Sequence, residues 1–539
     1  MEHAALQEEA AGLKKALEEK TTQVLELTQQ LEALKSHLVW LAQQVFGRKS
    51  EESKKTEPTE KDHEKDREDA PPQATNGSLE TASQGDNTAG EGSAGEKRRR
   101  GKQKGAKGHG RQRRSNLPFT EIFHPLPPEE RCCPICKKPF PVFPGVEESE
   151  EIHWEVRLTR HVHKRAIYIP DCDCGAVPGI VTAPPPAKLI PKGLFAADFW
   201  VKLILEKFLF QRPLYRIRQL LALEGLDVSQ GTLTGGLKRI SGLLEPLYAA
   251  IIERSRAAHH WQMDETRWMV FVETEGKKGY RWWFWVVVTK DSVVYILDPT
   301  RSAQVPKKHL GENAEGILSV DRYSAYKAYK ALNNSIRLAF CWAHLRRDFI
   351  NIGKGYHRLR DWAGDWIEII NSIYHLNGRR LKVVSDPVEF AVRDQALRAA
   401  IEAMADAWKE QLTHDKLHPA QKGALESMRN HWLGLIVFVD HPEIPMDNNE
   451  SERRVRPIAV GRKNYYGSGS VWSGHLSAML FSILQTVLKN KIDPQVFLLG
   501  YFEACAKNRG KPPEDINSFL PWNFSEERKE AWKIKTHGP

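Results

Sequence analysis

Two aspartates and a pair of glutamates are the residues of this chain best suited to chemistry. Asp264 lies in the strand-like run Trp261-Gln-Met-Asp264-Glu-Thr-Arg-Trp268, and Asp321 closes the run Gly316-Ile-Leu-Ser-Val-Asp321. A lone aspartate at a strand end is ordinarily a turn or cap residue. Two on neighbouring strands differ, because like charges brought together repel unless a cation lies between them. Hard carboxylate oxygens select magnesium or manganese rather than zinc. A third carboxylate would come from Met446-Asp447-Asn448-Asn449-Glu450-Ser451-Glu452-Arg453-Arg454-Val455-Arg456-Pro457, where Asp447 or Asn448 would cap a short helix. Glu450 and Glu452, two residues apart, point to roughly opposite sides of such a helix. One of them can face the aspartates, and spacing alone leaves open which.

Thiols form the other candidate centre. Cys133-Pro-Ile-Cys136 and Cys172-Asp-Cys174 are two close pairs separated by a strand-like segment from Glu155 to Ile169. Four thiolates suit zinc, and tetrahedral closure holds together a small module with little core. The second pair, with one intervening residue, is tighter than usual, and Cys132 beside Cys133 blurs the assignment by one position. His161 and His163 are substitute ligands, although histidines on a strand face are more often solvated. Cys341-Trp-Ala-His344 is a pair lacking two ligands; Cys341 ends an apolar strand and reads as a buried thiol.

The carboxylates need a scaffold. Strand patterns run from Trp261 to Val272, Tyr280 to Thr289 and Val293 to Leu297. After a helical stretch around Lys307, two more run from Gly316 to Asp321 and Ile336 to Cys341. Three strands at hairpin spacing, then strands separated by helices, is the element order of a ribonuclease H-like mixed sheet, in which the first and fourth strands lie side by side. Roughly a hundred helix-patterned residues follow, with stripes Trp362/Trp366/Ile369/Ile373, Leu397/Ile401/Met404/Trp408 and Leu425/Met428/Trp432/Leu435. They predict a helical subdomain inserted before the last carboxylate.

In front of the sheet stand several units. Residues 3 to 45 follow a heptad repeat, with a sites His3, Ala10, Leu17, Val24, Leu31, Leu38 and Val45. Its d sites are Leu6, Leu13, Lys20, Leu27, Leu34 and Leu41. From Val24 onward every a and d site is apolar, which points to a self-associating coiled coil, firmest toward Val45. Residues 48–116 lose apolar content and read as a disordered linker. From Lys97 to Arg114, ten of eighteen residues are Lys or Arg and none is acidic; Lys97, Arg98, Arg99, Arg100, Arg111, Arg113 and Arg114 would contact DNA phosphates. This local run says more than the net charge of +10. Between residues 184 and 256, Pro213 opens a helix, Gly225 ends it and Ser229 caps another, a pattern compatible with a DNA-binding helix-turn-helix. No run of about 18 uncharged apolar residues predicts a membrane span, and no basic-then-apolar start predicts secretion. A cytoplasmic protein associated with the nucleoid is expected.

The expected architecture is therefore a multidomain α/β chain. It comprises a coiled coil (1–47), the linker (48–116), a zinc module (117–183) and a helical DNA-binding region (184–256). The ribonuclease H-like core follows in two parts (257–350 and 446–490) around the helical insertion (351–445), before a C-terminal region (491–539).

At this point the residues resemble those of the insertion-sequence-66 family of transposases. The resemblance runs through Phe46-Gly47-Arg48-Lys49-Ser50-Glu51, the cysteine module, Pro213-Leu214-Tyr215-Arg216 and Asp264-Glu-Thr-Arg-Trp268. It continues in Asp321-Arg-Tyr323-Ser-Ala-Tyr326, Cys341-Trp-Ala-His344, Asp447-Asn-Asn-x-x-Glu452-Arg453 and Asp493-Pro494. It implies a catalytic triad of Asp264, Asp321 and Glu452 holding two magnesium or manganese ions, with Glu450 at a variable position. Structural zinc, a coiled-coil homo-oligomer and double-stranded DNA as partner (the element's terminal inverted repeats, then the target) are implied as well. Accessory proteins of the element are further candidate partners. Arg453 and Arg456 would flank the site and contact phosphate. The chemistry expected is phosphodiester hydrolysis followed by strand transfer, with no covalent protein–DNA intermediate. The rival readings are a non-catalytic DNA-binding or scaffolding protein of a mobile element and a ribonuclease acting on RNA–DNA hybrids.

Overall fold

The computed structural model describes residues 158–168, 181–273 and 279–534, with Lys20, Ile135, Lys138 and Glu275 as single positions. The heptad segment apart from Lys20, the linker with its basic run, and Cys133, Cys136, Cys172 and Cys174 lie outside the described residues. From the region assigned to the zinc module, β1 (Ile167–Tyr168) and β2 (Val181–Thr182) form an antiparallel pair. Three helices follow: α1 (Ala197–Ile204, continued by a π turn over Leu205–Leu209), α2 (Leu214–Leu223) and α3 (Gln230–Arg256). The punctuation between α2 and α3 is as the sequence predicts. Gly225 adopts φ +85°, which glycine reaches without steric cost, and the Ser229 hydroxyl accepts the Thr232 N–H at 3.1 Å.

The sheet begins with β3 (His260–Val270), β4 (Arg281–Val288) and β5 (Val293–Asp298). These run antiparallel in succession, since short links permit hairpins only. Helix α4 (Gln304–Leu310) leads to β6 (Gly316–Val320), and α5 (Ser324–Leu332) leads to β7 (Ile336–Phe340). Crossover helices allow parallel pairing, so β6 lies parallel to β3 and β7 parallel to β6, in the spatial order β5-β4-β3-β6-β7. Gly316 sits where a Cβ would collide with the His259 carbonyl, so its lack of a side chain lets β6 approach β3.

Helix α6 (Trp342–Gly355) leaves the sheet and ends within the stretch read as an insertion (351–445), which otherwise holds α7 (Arg360–Leu381), α8 (Pro387–Leu412), α9 (Pro419–Leu435) and the single turn α10 (Val437–Asp440). The predicted stripe Leu397/Ile401/Met404/Trp408 is buried throughout, and in the stripe Leu425/Met428/Trp432/Leu435 all but the partly buried Trp432 are buried. In the stripe on α7, Ile370 rather than Ile369 is fully buried, because the helix turns its core face one residue onward. Arg380, fully buried, ties α7 to α8 through Asp394 (2.5 Å) and to the carbonyls of Phe438 and Val439 (2.8 and 2.9 Å).

The chain then returns to the sheet as α11 (Asn449–Tyr465), β8 (Gly467–Ser468) and α12 (Val471–Lys489), and closes with α13 (Pro494–Lys507) and α14 (Glu526–Ala531). The helix expected around Glu450 to be short has 17 residues. Helix α12 is long and apolar enough to cross a membrane by length and composition alone, but 72% of its apolar window is buried in the protein core. Its hydroxyls explain why it belongs there. Ser482 and Thr486 accept the backbone N–H groups of Tyr295 and Val293 (2.8 and 3.0 Å), satisfying the outer edge of β5.

Candidate active site

The edge of β3 changes partner partway along. β6 pairs with it only from His260 to Gln262, the last register pair being Gln262 with Ser319. β4 occupies the opposite edge from Gln262 to Met269, and β8 joins the β6 side at Met269 and Val270. The stretch of β3 in between is open on that side. Continuing the β3–β6 register by two positions sets Asp264 beside Asp321, at the carboxyl end of β6, where α/β sheets ordinarily receive ligands.

Helix α11 lies along this part of β3. The Ser451 N–H reaches Gln262 Oε1 (3.4 Å) at its start, and Arg462 donates to Thr266 Oγ1 (3.1 Å) and the Arg267 carbonyl (2.8 Å) near its end. Its first turn brings Glu452 into electrostatic reach of Asp264. Burial pushes the Asp264 carboxyl up to about 8; the charges of Glu265, Asp321 and Glu452 push the same way, and the Glu265 N–H pulls back. Each aspartate has one oxygen committed to the backbone: Asp264 Oδ1 accepts from Glu265 N (2.8 Å), and Asp321 Oδ1 from Tyr323 N (2.9 Å).

The two glutamates left open by spacing are separated by their partners. Glu450 pairs with Lys489 and lies 3.8 Å from Arg454. Among the described residues, Glu452 has only looser ion-pair neighbours, His344 at 3.6 Å and Arg347 at 4.0 Å, and its buried Oε1 has no hydrogen-bond partner. Mutually repelling carboxylates and an orphaned carboxylate oxygen form a donor set that fits hard divalent cations. Arg453 and Arg456 are exposed on α11 and share an outward stripe with Val460 and Lys463.

Several neighbours escaped the sequence reading as contributors. Glu265, next in sequence to Asp264, points to the other face of the sheet, where Arg301 (2.8 Å from Nε) and the Tyr326 hydroxyl hold it. Arg301 lies 3.8 Å over the Tyr323 ring and 4.8 Å over Trp283, while the Tyr323 hydroxyl donates to the Arg301 carbonyl (2.7 Å). The only signal was the spacing of Tyr323 and Tyr326 after Asp321; nothing near Arg301 marks it. Cys341 is a buried thiol as expected, with burial pushing it up to about 11. Its sulfur, however, shares a small cluster with His344 and Glu452.

A mixed sheet flanked by many helices, carrying a carboxylate cluster suited to divalent cations, defines an α/β protein with a candidate metal-dependent centre. Comparison makes the class specific: residues 192–476 match the Transposase IS66 family, and the chain belongs to that family. Its role is accordingly that of a transposase, which implies DNA binding. The chain is 27% identical over 426 residues to uncharacterized protein y4jD of Sinorhizobium fredii, covering 76% of this chain and 81% of that protein. It is also 28% identical over 362 residues to uncharacterized protein y4qI of the same organism, covering 64% and 66% of the two chains.

Proposed function

We propose that this chain is an Asp-Asp-Glu transposase that cleaves phosphodiester bonds at the ends of a mobile element and joins the freed 3′ ends to target DNA. The observation that carries this reading is the convergence of Asp321 and Glu452 on Asp264 in the open stretch of β3. A ribonuclease H-like core is supported by the strand order, three antiparallel strands followed by two parallel ones, and by the helical insertion that precedes Glu452.

Asp264, Asp321 and Glu452 would hold two magnesium or manganese ions. When bound, such ions activate the attacking water or 3′-hydroxyl and stabilise the leaving oxygen. The chain's own contribution is placement. The N–H groups of Glu265 and Tyr323 each fix one aspartate oxygen, leaving the other for a ligand. Helix α11, pinned at both ends, carries Glu452 to the same opening and presents Arg453 and Arg456 outward for DNA phosphates. In α2 and α3, the exposed Arg216, Arg218, Lys238 and Arg239 add cations to a helix pair suited to a duplex. The basic run 97–114 would extend that contact, zinc at Cys133, Cys136, Cys172 and Cys174 would hold its module, and the heptads would pair two copies.

Incubating the purified chain with magnesium and labelled duplexes from the ends of its own element tests the reading. Metal-dependent nicking at the element boundary is the expected result. Retarded DNA with no nicking in magnesium or manganese would leave a DNA-binding scaffold instead.

A further inference from the structure

Cys341, His344 and Glu452 place one sulfur, one ring nitrogen and one carboxylate oxygen within 4.8 Å of one another. Two elements far apart in sequence create this cluster. Cys341 follows β7 and caps the N-terminus of α6, and His344 lies on the first turn of that helix, on the same side. Glu452 comes from the first turn of α11. The junction is held firmly: the Cys341 N–H donates to Val320 (3.1 Å), Trp342 N–H to Met446 (2.9 Å) and the Trp342 indole to Leu435 (2.7 Å). Among the described residues, His344 Nδ1 and Glu452 Oε1 are buried without hydrogen-bond partners, an arrangement that is costly unless something binds there.

The donor types select the ligand. A thiolate and an imidazole prefer zinc-like cations to magnesium, and three protein ligands with an open fourth position form a familiar zinc geometry. Ligand atoms around tetrahedral zinc lie roughly 3.3–3.8 Å apart, so closing the cluster needs side-chain adjustments of about an ångström. Arg347, the cation 4.0 Å from Glu452, is half exposed and free to swing aside.

We propose that Cys341, His344 and Glu452 form a second cation site, for a thiophilic divalent ion such as zinc. This site shares Glu452 with the carboxylate centre, so that filling it withdraws Glu452 and stops strand cleavage. The cysteine proton leaves to solvent when the thiolate binds the ion. The inhibitory consequence rests on the transposase reading, whereas binding at the site does not.

Cobalt(II), a spectroscopic stand-in for zinc, separates the two on the full chain. Metal-stripped wild type should show more sulfur-to-cobalt absorption than Cys341→Ser, and His344→Gln should alter the cobalt ligand-field bands. In nicking assays with magnesium, Cys341→Ser should need about tenfold or more zinc for half-inhibition, with activity in magnesium alone unchanged. Cys341→Ala, checked by thermal melting, replaces the serine variant if that one folds poorly. Identical cobalt spectra in wild type and variants would overturn the site. Equal zinc sensitivity despite a spectral difference would overturn the regulation. If wild type itself does not nick in magnesium or manganese, the transposase reading fails, and the cobalt difference still decides the site.

Discussion

Asp264 and Glu265 are neighbours on one strand, yet their carboxylates live in opposite circumstances. Glu265 is buried on one face with its own counter-charge, Arg301, and a hydrogen-bond donor, Tyr326. Asp264 faces the other side, and the charges acting most strongly on it are all negative. Both carboxyls are raised by burial, but for Glu265 the Tyr326 hydroxyl and the Arg301 guanidinium work against the rise. A carboxylate that serves structure brings its compensation within the chain. One that serves a ligand is left uncompensated until the ligand arrives.

The comparison breaks most visibly in catalysis. Asp264→Asn, Asp321→Asn or Glu452→Gln should each lower magnesium-dependent nicking about a thousandfold or more, equivalent to several kcal/mol of transition-state stabilisation. DNA retardation should be unchanged. Full activity in any one variant would remove that residue from the triad.

The paired side should fail in stability first. Arg301→Met leaves Glu265 buried without its counter-charge, which costs roughly 3 kcal/mol, toward the low end for a buried pair because Arg301 is partly exposed. Chemical denaturation would show the loss as a lowered midpoint with an unchanged slope. No shift would mean that Tyr326 alone suffices.

A smaller effect has the opposite sign. Because the folded-state value of Asp264 lies far above the ordinary 3.8, its ionised form opposes folding increasingly as pH rises from about 4 to about 8. Metal-free Asp264→Asn should therefore melt higher than wild type at pH 8, by roughly 1 °C for each kcal/mol of strain relieved in a chain of this size. The gain should shrink toward pH 4 and disappear when wild type is saturated with magnesium. A gain independent of pH would show that charge is not its source.

The least change is expected from Glu450→Gln. That glutamate pairs with Lys489 away from the cluster, so nicking should persist; because the nearly buried Lys489 loses its counter-charge but keeps the glutamine oxygen as an acceptor, stability should fall by roughly 2 kcal/mol. A loss of nicking comparable to that of Glu452→Gln would mean that the two glutamates share the role.

Much of the scaffold was legible in the chain. The strand runs, the helical link around Lys307, the Gly225–Ser229 punctuation and the helical insertion all follow from local patterns of apolar, turn and capping residues, and they appear where those patterns place them. The positions of Asp264 on β3 and Asp321 just after β6 were legible for the same reason, since hairpin and crossover rules dictate the neighbours of those strands.

Other features required the chain to be folded. Spacing left Glu450 and Glu452 equivalent; they part company because Lys489, on another helix, claims the first. Arg301 finds Glu265 and Tyr323 through a turn of the sheet, and Cys341 meets Glu452 across the whole insertion. Local sequence determines which backbone conformations and buried faces are favourable, since those depend on near neighbours along the chain. Which charges end up compensated depends on groups brought together only through space, and tertiary packing alone decides that.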